Sequence, residues 1–165
     1  EILIGLVGSE MCIRDRRCFN KTLKEKEQQG EPFVLFYLDL DRFKPVNDTY
    51  GHDVGDQLLK AVAGRLRSCV RNTDYAFRIG GDEFALIVNG EVDAEWCAQR
   101  METIKSIIRQ TYVLEGQTID ISTSCGVVCY PADSADVREL RILADQRMYE
   151  DKQKTGSSRS IKQKI

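Results

Sequence analysis

Two short β-prone stretches, Tyr75–Ile79 and Phe84–Val88, are separated only by Gly80-Gly81-Asp82-Glu83. Apolar runs so close together are expected to double back as a hairpin, which commits this part of the chain to a sheet. The two glycines are expected to reach backbone conformations closed to other residues and to leave the tip bare to an approaching ligand. Asp82 and Glu83 would then present their carboxylates at that tip. Alone, the string would pass for a tight turn with acidic solvation. A second acidic strand end upstream, Asp39-Leu40-Asp41, argues for more. It closes the run Phe33–Leu40, whose unbroken hydrophobicity is that of a central strand covered on both faces.

Helical patterns alternate with these strands. Arg17 to Gln29 is polar and helix-favouring, and Gly30-Glu31-Pro32 ends it. Asp53 to Arg71 carries an apolar stripe at Leu58, Leu59, Val62, Ala63, Leu66 and Val70. A helix is expected from Ala94 to Thr111, a long strand from Thr118 to Tyr130 ended by Pro131, a helix from Val137 to Lys154, and a last strand from Arg159 to Lys164. The expected class is α/β, a central mixed sheet flanked by helices.

With 165 residues, 42% hydrophobic and 30% charged, the chain suits one domain with its own core. A net charge of -2 argues against a nucleic-acid partner and for small-molecule chemistry. The six cysteines include no CxxC pair and lie in helical or strand-like stretches. Reduced thiols in the cytoplasm are therefore expected, with neither a disulfide framework nor a zinc site, although Cys125 and Cys129 could share a strand face. The apolar runs are too short to form a membrane segment.

Asp39, Asp82 and Glu83 fall at neighbouring strand ends in this scheme and could converge. Hard oxygen ligands, without His or Cys, suit Mg²⁺ or Mn²⁺ carried on a triphosphate. Lys44 follows the strand closely, and the amides of Arg42 and Phe43 open a short helical turn; both features suit phosphate. Asn47 and Asp56 suit guanine, because a carboxylate accepts the paired hydrogens of N1 and the exocyclic amine, a donor pair that adenine lacks. Asp56 could instead cap the helix that follows. His52, the single histidine, is expected to make a structural hydrogen bond in its turn.

Together, Arg78-Ile79-Gly80-Gly81-Asp82-Glu83-Phe84, Asp39-Leu40-Asp41, Phe43-Lys44, Asn47-Asp48 and Gly51-His52-Asp53-Val54-Gly55-Asp56 resemble the GGDEF family of diguanylate cyclases. The resemblance runs from about Arg17 to the end and implies a nucleotidyl-cyclase-like fold with an active-site hairpin. It implies that Asp39, the Leu40 carbonyl and Glu83 hold metal, with Asp82 at the metal or near the attacking hydroxyl on the Gly80-Gly81 turn. Arg42, Phe43 and Lys44 would contact the triphosphate of GTP, as would Lys152 in Ala144-Asp145-x-x-Met148-Tyr149-x-x-Lys152. Asn47 and Asp56 would contact guanine. Arg71-x-x-Asp74 would form an inhibitory site for the product, cyclic di-GMP. The family's Gly-Arg-Asn turn after the last helix is missing, so no phosphate contact is assigned to Arg159.

The implied reaction condenses two GTP into cyclic di-GMP with release of pyrophosphate, in a homodimer. A catalytically silent GTP- or cyclic di-GMP-binding domain is the alternative from another class, and a cyclase making a mononucleotide is the enzymatic rival. The family's opening signature, Asp-x-Leu-Thr-Gly-Leu-x-Asn-Arg-Arg, is matched here only by Arg16-Arg17 and Phe19. Residues 7–15 can be encoded by the adapter of transposase-based sequencing libraries. Residues 1–16 are therefore expected to be a non-native leader, and residues 17–165 an N-terminally truncated domain that has lost any upstream sensory part.

Overall fold

A computed structural model describes residues 14–155; Cys12, Arg159 and the strand expected over 159–164 lie outside the described residues. Helix α1 (Arg16–Gln29) starts where the Asp15 carboxylate accepts from the Cys18 amide and stops at Gly30, which takes a left-handed φ of 69°. Arg14, Asp15 and Arg16, assigned to the leader from sequence, take part in this start, and Arg14 also forms a parallel bridge to Phe77.

The sheet has the order β2-β3-β1-β6, with β1 (Phe33–Asp41) inside, β2 (Tyr75–Gly80) and β3 (Glu83–Asn89) forming the expected hairpin, and β6 (Ser122–Tyr130) at the far edge. The pairings of these named strands are all antiparallel, and among the described residues the Arg14–Phe77 bridge is the only parallel pairing.

The continuous hydrophobicity of β1 has a direct cause. Val34, Phe36, Leu38 and Leu40 face one core, shared with α3 (His52–Ser68) and α4 (Ala94–Arg109). Phe33, Leu35 and Tyr37 face a second core, shared with α1 and α5 (Val137–Lys154). Side chains alternate across a strand, so helices on both faces require apolar residues at every position.

Three expectations change. The turn after β1 is a full helix, α2 (Phe43–Tyr50). The strand expected over Thr118–Tyr130 is broken at Asp120-Ile121 into β5 (Gln117–Ile119) and β6, and β5 pairs with an unforeseen β4 (Tyr112–Leu114). The β4–β5 turn, Glu115-Gly116, has φ of 50° and 75°, the two positive values a tight hairpin of this kind requires. Finally, α3 ends at Ser68 rather than Arg71, because Arg71 already belongs to the next turn, where its carbonyl accepts from the Asp74 amide. No described helix is long and apolar enough to cross a membrane.

Candidate functional site

The β2–β3 hairpin and the end of β1 form the centre of the site. Gly80 pairs with Glu83, leaving Gly81-Asp82 as a two-residue tip. Only Gly81 uses a conformation reserved for glycine, with φ of 39°; Gly80 does not, and the space above it is open. The tip is held from both sides. Arg78 Nε donates to the Gly81 carbonyl (2.9 Å), and the Leu40 amide donates to the Asp82 carbonyl (3.1 Å).

Asp39 stands directly opposite Glu83 in the register. Tyr37 and Ala85, two residues back along each strand, belong to the core under α5, so both carboxylates leave the sheet on that face. Asp39 and Glu83, expected from the sequence to converge, thus stand together at the sheet end. Asp41 goes elsewhere: it is buried, accepting from the hydroxyls of Ser122 (2.8 Å) and Ser124 (2.7 Å).

Lys152 of α5 reaches across and donates to Asp39 Oδ2 (2.6 Å), whereas Asp39 Oδ1 is buried and has no partner. The acids are therefore short of positive charge. Burial, and then the neighbouring Asp39 charge, push the Asp82 carboxyl up to about 6, from an ordinary 3.8. Burial also raises Glu83, with Asp39 and Asp145 adding to it, while Arg16 and Lys152 pull the other way. An orphaned carboxylate oxygen among like charges suits a hard cation. Among the described residues no three His, Cys, Asp or Glu side chains make a complete metal cage. Mg²⁺ commonly uses one or two carboxylates and takes further ligands from substrate phosphates and water.

Helix α5 is placed by Gly126 of β6. A Cβ there would lie 2.0 Å from the Ala144 carbonyl oxygen and 2.6 Å from the Met148 amide nitrogen, so only a bare backbone admits the helix this closely. At its far end Asp151 Oδ2 accepts from Lys105 Nζ (2.8 Å) and from the Cys125 amide (2.9 Å), fixing the turn that carries Lys152. A cleft of about 590 Å³ opens between Asp39, Asp145, Tyr149 and Lys152. The sequence reading took only Lys152 from this helix. The spacing of Asp145, Tyr149 and Lys152, i, i+4 and i+7, was a readable sign of one helical face.

On the other side of the strand end, α2 starts without a side-chain cap after Arg42, which itself has a φ of 58°. The Phe43 amide and the exposed Lys44 stand at this start. Asn47 is half-buried on α2, and Asp56 is exposed on α3. Asp56 lies inside α3, which Gly51 precedes with no side-chain cap, so Asp56 is not the helix cap. His52 is exposed and its ring makes no hydrogen bond with the described residues, so the expected structural bond is not made. The cleft under α5 includes Asp39 and Lys152 but not Asn47 or Asp56.

Arg71 and Asp74 face each other as a bidentate pair, at 3.1 and 3.2 Å. Their exposures differ sharply: 65% for the Arg71 side chain against 1% for Asp74. Asp74 also accepts from the Arg71 and Asn89 amides, so its oxygens are committed within the protein. The pair borders a cavity of about 440 Å³ that Trp96 and Arg100 also line. The five described cysteines are free, and Cys97 and Cys129 approach to 3.5 Å between sulfurs.

The chain matches known proteins in sequence and in fold. The model of the family described as "Diguanylate cyclase, GGDEF domain" matches residues 12–158. Among curated relatives, the uncharacterized protein YhcK of Bacillus subtilis is 39% identical over 89% of this chain and 42% of its own length. Diguanylate cyclase DgcZ of Escherichia coli is 35% identical over 98% of this chain and 52% of its own. The chain thus spans about half or less of these relatives. Among solved structures, the GGDEF domain of DgcB from Caulobacter crescentus in complex with c-di-GMP is 27% identical, with a TM-score of 0.76 over 93% of this chain and 92% of that one.

Proposed function

The chain belongs to the GGDEF family, and from that premise we propose that it is a diguanylate cyclase, joining two GTP into cyclic di-GMP with release of two pyrophosphates. The observation that carries this reading is the pairing of Asp39 with Glu83 beside the Gly81-Asp82 tip, with one Asp39 oxygen buried and unpartnered. A domain that only bound nucleotide would have no need to concentrate uncompensated carboxylates at a bare turn.

In each half of the reaction the 3′-oxygen of one GTP bonds to the α-phosphorus of the other, the α–β phosphoanhydride bond breaks, and pyrophosphate leaves. Asp39 and Glu83, with the Leu40 carbonyl, would hold magnesium or manganese. When bound, that ion would ease deprotonation of the hydroxyl and offset negative charge developing on the phosphate. Asp82, held near 6 in the free protein, is suited to accept the hydroxyl proton at neutral pH. Lys152 would turn from Asp39 towards the phosphates, with Lys44 and the Arg42 and Phe43 amides meeting them from the other side. Asn47 and Asp56 would select guanine. A nucleotide touching both groups must lie across the end of β1, since α3 and α5 cover opposite faces of the sheet.

One domain presents one such set of contacts, so two copies must face each other for the symmetric product to form. Cyclic di-GMP would also bind at the exposed Arg71 and restrain activity. The test is to incubate purified protein with GTP and Mg²⁺ and weigh the product. Cyclic di-GMP is expected; a linear or mononucleotide product, or nucleotide bound without turnover, would overturn the reading.

A further inference from the structure

Gly55 lies buried in the second turn of α3, with ordinary helical backbone; it is not among the positive-φ glycines. Conformation therefore does not call for glycine, and glycine within a helix costs about 0.5–1 kcal/mol relative to alanine. What a side chain there would displace is one neighbour, the end of the Asn47 side chain. A Cβ on Gly55 would lie 1.7 Å from Asn47 Oδ1 and 2.9 Å from Asn47 Cγ, with Phe43 Cζ at 3.4 Å. Gly64, in the same helix, has nothing within 4 Å of the corresponding point. No hydrogen bond with a described residue holds the Asn47 carboxamide, which lies against the bare Gly55 backbone.

We propose that Gly55 is a specificity-determining positioning residue: its missing side chain seats the Asn47 carboxamide against the α3 backbone one residue before Asp56, and so sets the preference for guanine over adenine. This rests on the guanine-reading role proposed for Asn47 and Asp56. A methyl at position 55 drives the carboxamide off the α3 backbone, meets the Phe43 ring only at ordinary contact distance, and has neither Asp39, Asp82, Glu83 nor Lys44 among its nearest neighbours. Base discrimination should suffer, and the chemical step should not.

The test titrates GTP and ATP, as non-hydrolysable analogues, against wild type, Gly55→Ala, Asn47→Ala, the double variant and Gly64→Ala, with a melting curve for each. Gly55→Ala should weaken GTP binding about tenfold, the size of one or two lost hydrogen bonds, and leave ATP binding unchanged. In turnover assays KM for GTP should rise while kcat is retained. In the Asn47→Ala background the same change should have no further effect, and Gly64→Ala should bind as wild type does.

Wild-type GTP preference in Gly55→Ala, or an equal loss in both backgrounds, would overturn the proposal. Should Gly55→Ala fail to fold, Asn47→Ala in the same chain should restore melting by clearing the space; a double variant that stays unfolded would also overturn it. A wild type that binds GTP and ATP alike would overturn the base reading itself, and this inference with it.

Discussion

Asp82 and Asp39 show how much of this site is decided by single groups. The Asp82 carboxyl sits at about 6 in the folded chain and at 3.8 in its ordinary state. The folded chain therefore binds more protons between these values, so the contribution of Asp82 to stability is full below about pH 4 and declines as pH rises towards 6. Without divalent cation, Asp82→Asn should melt with a shallower fall over that window than wild type. Parallel melting curves would assign the raised carboxyl elsewhere. Asp39→Asn removes the negative charge that pairs with Lys152 and weakens one proposed metal ligand while keeping the shape of the side chain. It should fold, and turnover should fall on the order of 10²-fold or more. Normal product formation by the purified variant would refute the role of Asp39.

At the scale of elements, helix docking and loop anchoring control the site. Gly126 lets α5 rest on β6, and the atoms a methyl would strike are backbone, which cannot rotate aside. Gly126→Ala should cost about 1–3 kcal/mol by overpacking and should lower turnover as Lys152 lifts away, measured by denaturant midpoint and GTP consumption. An unchanged midpoint would contradict this account of the docking. The loop between α3 and β2 divides its labour: Arg71 is exposed, and Asp74 is buried on two backbone amides. Arg71→Ala should relieve inhibition by added cyclic di-GMP at an unchanged initial rate, and inhibition as strong as in wild type would remove the proposed site. Asp74→Ala should instead destabilise the domain by about 1–3 kcal/mol or more, since it strands buried donors.

For the whole molecule the decisive issue is assembly. If each domain brings one GTP, productive encounters between copies limit the rate at low concentration. Specific activity should then rise with protein concentration and level off as the dimer fills, in an assay spanning the nanomolar to micromolar range. A constant specific activity from a chain shown by light scattering to be monomeric would refute the two-domain reaction.

Much of the fold was legible because it depends on near neighbours. Gly30 ends α1, the stripe of α3 marks its buried face, and the unbroken apolar run of β1 reports helices on both sides, whereas the Asp15 cap of α1 was not read from the sequence. The hairpin and its acids were equally local, since glycines and carboxylates adjacent in sequence stay adjacent at a tip. The sequence by itself thus determined the order of elements and the chemistry available at the end of β1. Tertiary structure alone decided which groups are left free to use it. Register set Asp39 against Glu83, while two serines of β6 took Asp41 out of reach. Docking of α5 on Gly126 brought Lys152 to Asp39 across 113 residues, and packing buried Asp74 while leaving Arg71 exposed. Charge and periodicity are properties of a residue and its chain neighbours, but burial and pairing are set by surfaces that meet only when distant elements close on one another.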